Sequence, residues 1–312
     1  MTILEVKNLR TGYRTKGKTF YAVDDVSFEI GANETVGLVG ESGCGKSTLG
    51  KTVARLIDPS DGEIWLDGQE IASLPEKQMR PLRRKIQMVF QDPYASLNPR
   101  QSVRRILETP LKVRGMSDAG ERKRIIHEMA ETIGFPPEAL DRYPHEFSGG
   151  QRQRIGIARA LILKPDLVIC DEPVSALDLS IQAQIINLLG DLKRKLGIAF
   201  LFISHDLSVV RYFSDRILVM YLGKIVEAAD YTSLWRNPRH PYTRALLGAV
   251  PSMDPAKKIA NKISGEIASG STDLGQGCRF RTRCPIAQER CAAETPVLRK
   301  LGDGNSVACH FI

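Results

Sequence analysis

The octapeptide GESGCGKS at residues 40–47 constrains this chain more than any other stretch. It matches G-x-x-x-x-G-K-[ST] and stands where that pattern has mechanical meaning. Before it runs TVGLVG (35–40), a short apolar stretch of the kind buried on both faces of a sheet; after it, Leu49, Val53, Leu56 and Ile57 recur at helical spacing. Gly40, Gly43 and Gly45 let the backbone curl so that successive N–H groups aim at one phosphate cluster, and the following helix adds its positive N-terminus. Ser42, Cys44 and Thr48 complete the candidate ATP-binding loop. Lys46 is placed to reach the β- and γ-phosphates, and the Ser47 hydroxyl to ligate Mg²⁺.

A second half-site follows in LVICDE (167–172). Four apolar residues make a buried strand whose end presents Asp171 and Glu172 side by side. A carboxylate pair at a strand end is weak evidence alone, because many strands end in acidic turns. Beside a phosphate loop it reads as Asp171 holding Mg²⁺ and Glu172 accepting a proton from an attacking water. Around these motifs, strand-like runs alternate with helical ones: KIQMVFQ (85–91), DLVICDE (166–172), a helix over 181–197, IAFLFIS (198–204), a short helix in DLSVVRYF, and a closing hairpin in RILVMYLGKIVEA. Such alternation predicts an α/β fold with a mainly parallel sheet and helices on both faces. Ile125, Ile126, Met129 and Ile133 form a helical stripe inside a helical insertion over 100–147, broken by prolines.

Further motifs carry a resemblance to a family. FSGGQRQR (147–154) is similar to the signature motif of the ATP-binding-cassette (ABC) ATPases, with Phe147 in place of the usual leading Leu. The resemblance implies that Ser148, Gly149, Gly150 and Gln151 form a second phosphate cradle, facing the ATP of a partner subunit. Gln91 in VFQDP resembles the Q-loop residue, which contacts Mg²⁺ and the attacking water. Asp178 in SALD resembles the D-loop, His205 in ISHD the switch histidine at the γ-phosphate, and Tyr13 the aromatic that stacks on adenine, with Phe20 or Tyr21 as fallbacks. The implied fold is a P-loop cassette with an antiparallel β subdomain over residues 1–230, a helical subdomain at about 92–160, and an appended unit over 231–312.

VFQDPYASLNPR (89–100), CDEPVSALDLSIQAQIINLL (170–189) and NPRHPYTRALLGAVP (237–251) narrow the resemblance to the oligopeptide/dipeptide permease branch, and to its second ATPase subunit. This implies an ATPase that energises a bacterial importer. A paralogous ATPase subunit forms a heterodimer with it, a homodimer being the alternative. Two integral membrane permease subunits are its direct partners and an external peptide-binding protein an indirect one. The implied location is peripheral, on the cytoplasmic face of the inner membrane. Glutathione, nickel chelates and opines stay open as other cargoes.

The tail is the chain's cysteine-rich part. Cys278, Cys284, Cys291 and Cys309 are separated by five, six and seventeen residues. Structural zinc favours closer pairs, so the spacing argues weakly against it. Four thiolates are also the ligand set of a [4Fe–4S] cluster, which the family resemblance supports; free cysteines in a small core are the alternative. Arg279, Arg281, Arg283 and Arg290 would partly offset an anionic cluster. The N-terminus MTILEVKNLR has no secretory pattern, so a reducing compartment is expected, where clustered thiols hold metal more often than disulfides. The net charge of +8 keeps a rival reading open, a soluble cassette ATPase acting on nucleic acid or ribosomes. Against it, the basic stretch 100–124 sets eight Lys/Arg against Glu108, Asp118 and Glu121 without interleaved aromatics, and reads as a solvated or membrane-proximal face. No nucleic-acid partner is expected.

Overall fold

The computed structural model describes residues 1–15, 18–250 and 276–312. Residues 251–275 of the expected tail, Pro251 among them, lie outside the described residues. The chain opens with two long strands, β1 (Thr2–Thr15) and β2 (Lys18–Gly31), then β3 (Thr35–Val39), α1 (Lys46–Val53), β4 (Asp61–Leu66), β5 (Gln69–Glu70), α2 (Glu76–Leu82) and β6 (Ile86–Val89). The helical insertion holds α3 (Pro93–Ser96), α4 (Val103–Val113), α5 (Ala119–Thr132) and α6 (Gly149–Leu161). Alternation then resumes with β7 (Leu167–Asp171), α7 (Leu179–Leu196), β8 (Ala199–Ser204), α8 (Leu207–Phe213), β9 (Arg216–Tyr221) and β10 (Lys224–Asp230). The tail adds α9 (Tyr231–Arg236), α10 (Pro241–Gly248), α11 (Glu289–Ala293), β11 (Arg299–Lys300) and β12 (Ser306–Val307).

Two sheets result. The antiparallel one runs β2-β1-β4-β5, and the main one runs β11-β12-β10-β9-β3-β8-β7-β6. Its centre is parallel, β3 pairing with β8 and β9, and β7 with β6 and β8. Every residue of β3, β7 and β8 is buried, which is why these runs read as continuously apolar rather than alternating. Their C-terminal ends carry Val39, Asp171 and Ser204 to one edge, where the loops that follow them converge. In such sheets ligands bind at that edge.

Within the insertion, α4 buries Val103, Ile106, Leu107 and Leu111 in a separate core with Ile126 and Ile133. Its charges are largely paired: Arg104 with Asp141 (2.8 Å), Arg122 with Glu108 (3.0 Å) and Lys112 with Glu108 (2.8 Å). One expectation fails at the end of α1. The helix stops at Val53, so Leu56, half exposed, and Ile57 do not continue its stripe. The chain turns left-handed at Arg55 (φ 54°), and that guanidinium bonds the carbonyls of Ile71 and Leu74 instead.

Candidate active site

The loop between β3 and α1 is braced by its surroundings. Gly45 takes φ 107°, and a Cβ there would lie 2.1 Å from the Ala22 carbonyl oxygen on β2. A Cβ on Gly40 would lie 2.2 Å from the Met220 carbonyl oxygen on β9. Only glycine allows these close approaches. The Cys44 carbonyl accepts from Gly223 N–H at 2.8 Å, and the Cys44 thiol is buried beneath the loop, its pKa pushed up by that burial. Lys46 is buried, its Nζ donating to the carbonyls of Gly40 (2.7 Å) and Glu41 (3.0 Å). Helix α1 starts at Lys46, so its free N–H groups face the loop.

Ser47 Oγ donates to Asp171 Oδ1 at 2.7 Å, joining the loop to the end of β7. Burial pushes the Asp171 carboxyl above the usual range, partly opposed by the Ser47 hydrogen bond. The next residue, Glu172, takes φ 47°, unusual for a non-glycine, and its N–H donates to Ile203 O. That turn aims the side chain at two predicted partners. Gln91 Nε2 donates to Glu172 Oε2 at 3.2 Å, and His205 Nδ1 lies 3.1 Å from the same oxygen. Gln91, Glu172 and His205, placed at the ends of three adjacent strands, thus form one cluster.

These residues line a cavity of about 810 Å³ together with the loop and Tyr13, Phe20, Ala22 and Leu246. Tyr13 pairs with Phe20 across β1 and β2, and its hydroxyl lies 3.4 Å from Thr48 Oγ1. Tyr21, the other fallback, packs beside Gly12 and is not among the lining residues.

The signature residues lie elsewhere. Ser148 caps α6: its Oγ accepts from Gln151 N–H, while Gln151 Oε1 accepts from Ser148 N–H at 2.9 Å. Ser148, Gly150 and Gln151 line a second cavity of about 420 Å³ with Phe135, Arg154 and Ile181, and Gly149 starts the helix beside Leu177. Neither Lys46 nor Glu172 lines it. Asp178 precedes α7 and accepts through its backbone carbonyl from Ile181 and Gln182.

The tail departs from expectation. Cys278 and Cys284 are partly buried, Cys291 is buried, and all four tail cysteines are free thiols. Burial raises the pKa of Cys278 and Cys284, and the neighbouring tail thiols add to the rise. Among the described residues, however, no three His, Cys, Asp or Glu side chains are grouped to hold a metal ion. The expected iron–sulfur site at Cys278, Cys284, Cys291 and Cys309 is therefore not supported by the arrangement of the described residues. The tail arginines have carboxylate partners: Arg279 with Asp24, Arg283 with Glu41 (2.8 Å) and Arg290 with Glu294 (2.8 Å). Arg281 donates to Cys278 O.

Sequence reading missed Leu246 and the Glu41–Arg283 pair. No local pattern marks either, because both are contacts of the tail with the loop. Two family models match parts of the chain: "ABC transporter" over residues 23–175, and "Oligopeptide/dipeptide transporter, C-terminal region" over 226–291. A putative peptide import ATP-binding protein of Brucella ovis is 50% identical over 308 residues, covering 98% of this chain and 97% of that protein. The oligopeptide transport ATP-binding protein AppF of Bacillus subtilis is 48% identical over 321 residues, covering 99% and 97%. A solved bacterial ABC transporter cassette, MJ0796, reported as a dimer, superposes with a TM-score of 0.68 at 29% identity, covering 73% of this chain and 99% of that one.

Proposed function

This chain belongs to the ATP-binding subunits of oligopeptide/dipeptide ABC transporters, and on that premise we propose how its residues divide the work. It is an ATPase that uses ATP and Mg²⁺ to energise peptide import with membrane permease partners, and the nucleic-acid alternative is not favoured. Among the described residues no helix is long and apolar enough to cross a membrane.

The observation that carries the residue assignment is the convergence of Gln91 and His205 on Glu172 Oε2. In this reading Glu172 is the general base. Its carboxylate is held by two neighbours so that it presents to a water lying toward the phosphates, and it takes that water's proton as the γ-phosphate is attacked. His205 and Gln91 orient the base, and His205 also reaches the γ-phosphate. Lys46 and the loop N–H groups bind the phosphates. Ser47 and Asp171, extended by Gln91, would supply the hard oxygen donors that suit Mg²⁺. When bound, that ion offsets phosphate charge. Tyr13, with Phe20 beside it, stacks on adenine.

The signature cradle, remote from the chain's own phosphate loop, supports a sandwich of two ATPase subunits. There Ser148, Gly149, Gly150 and Gln151 complete the partner's site, and Asp178 lies at the seam. A paralogous subunit is our first choice and a second copy the alternative. Such a pair docks peripherally on the cytoplasmic face of the membrane, with an external binding protein delivering peptide to the far side. We divide the chain into a cassette over 1–230, with its helical subdomain at about 92–160, and a tail over 231–312, as the two family matches support.

The test is Glu172→Gln. It should bind ATP as the wild type does, hydrolyse it about 10²–10⁴-fold more slowly, and accumulate as a closed dimer in Mg-ATP on size-exclusion chromatography. Hydrolysis at the wild-type rate would remove Glu172 as the base.

A further inference from the structure

Glu41 is an odd residue for its place. It sits second in the loop that wraps a polyphosphate, where a free carboxylate would repel the ligand. The tail answers that charge. Arg283 meets Glu41 as a fork, Nη1 to Oε2 at 2.8 Å and Nη2 to Oε1 at 3.0 Å, although the two residues lie 242 positions apart. The arginine side chain is only 8% exposed, and its Nη1 also lies 3.4 Å from Tyr221 Oη. Such bidentate pairs fix orientation as well as cancelling charge.

The same tail holds the Glu41 backbone. Glu41 N–H donates to Tyr242 Oη at 2.9 Å. Tyr242 is fully buried, packed edge-on against Tyr221 (4.7 Å between centroids) and beside Phe280 of the Cys-bearing segment. Its helix is anchored by buried Glu227, which accepts from His240 N–H at 2.8 Å. Arg279 bonds Leu222 O and Asp24, steadying the turn whose Gly223 holds the Cys44 carbonyl. Within the loop, the Glu41 carbonyl accepts from Lys46 Nζ. A chain of contacts thus runs from the Cys278–Cys284 segment through Arg283 and Glu41 to the phosphate-binding lysine.

We propose that Arg283 is a positioning residue for the nucleotide: by cancelling Glu41 and holding it away from the phosphates, it makes ATP affinity depend on a docked tail. This rests on the phosphate loop being the ATP site. Removing Arg283 leaves an uncompensated carboxylate beside the triphosphate, and the loss grows with the charge of the ligand.

The test measures Mg-ATP and adenosine dissociation constants on the full chain by calorimetry. Arg283→Met should weaken Mg-ATP about tenfold, with adenosine unchanged. The double variant Arg283→Met/Glu41→Gln should return to within about threefold of wild type, because the charge needing cancellation is gone. A purely structural arginine would show no such rescue, and its absence would overturn the proposal, as would an Arg283→Met chain that binds ATP like wild type. If Arg283→Met does not fold, Glu41→Gln alone decides: binding equal to or tighter than wild type is expected, and a tenfold weakening sinks the idea. A wild-type chain that binds no ATP would instead refute the underlying reading of the loop.

Discussion

The two stretches we propose as phosphate cradles are built on different plans. The loop at 40–47 is wedged on several sides, with the carbonyls of Ala22 and Met220 pressed against its glycines and the tail gripping Glu41. The turn at 148–151 meets side chains rather than backbone: a Cβ on Gly150 would lie 2.4 Å from Ile181 Cγ2 on α7, and Gly149 lies beside Leu177. Ser148 and Gln151 satisfy each other, and the neighbouring cavity holds no residue of the first cradle. A cradle braced by the whole fold can bind ligand alone. One that caps its own helix at the surface, backed only by side chains of α7 and the segment before it, is open to completion by another chain.

Four substitutions probe that contrast. The largest effect is expected from Gly45→Ala. With φ 107° and no room for a Cβ, the variant should lose about 3 kcal/mol of stability, read by thermal denaturation, and most of its nucleotide binding. A Gly45→Ala chain that still binds ATP normally would break the idea of a braced loop. Ser148→Ala should act oppositely. Loss of the cap costs about 1 kcal/mol. ATP binding to the single chain should be unchanged, while hydrolysis by the assembled pair falls about tenfold or more, as when a transition-state donor is removed. Weakened binding by the lone chain would erase the distinction between the two cradles. The smallest effect sharpens the adenine end. Tyr13→Ala should weaken ATP by about tenfold, the scale of one lost base stack, whereas Tyr21→Ala should change it less than about twofold. Fluorescent-nucleotide titration separates the two.

What was legible in the sequence follows the range of the interactions involved. The phosphate loop, the Asp171–Glu172 strand end and the parallel core rest on local geometry: strand period, helix period, and glycines where backbones nearly touch. The convergence of Gln91, Glu172 and His205 followed because all three sit at the ends of adjacent parallel strands. The end of α1 was misread because the apolar spacing of Leu56 and Ile57 persists past the left-handed turn at Arg55, which is set by carbonyls about twenty residues away. The tail arginines were misplaced for the same kind of reason. Its arginines stand beside cysteines in sequence but beside Asp24 and Glu41 in space. Proximity along the chain suggested counterions to a cluster, while in the fold Arg279 and Arg283 pair with the cassette and Arg290 with Glu294 of the tail.

The register of the last strand has a consequence of its own. β12 lies against β10, pairing Val307 with Glu227 and Ser306 with Ala228, and Ala308 N–H donates to Val226 O. Beyond it, among the described residues, only the two-residue β11 remains, with both residues exposed and cationic, Arg299 and Lys300. An open ladder of backbone donors and acceptors invites strands from other molecules, and short, lysine-bearing edges are among the ways proteins discourage this. The tail therefore also acts as a selvedge, finishing one margin of the sheet so that it does not fray into aggregates.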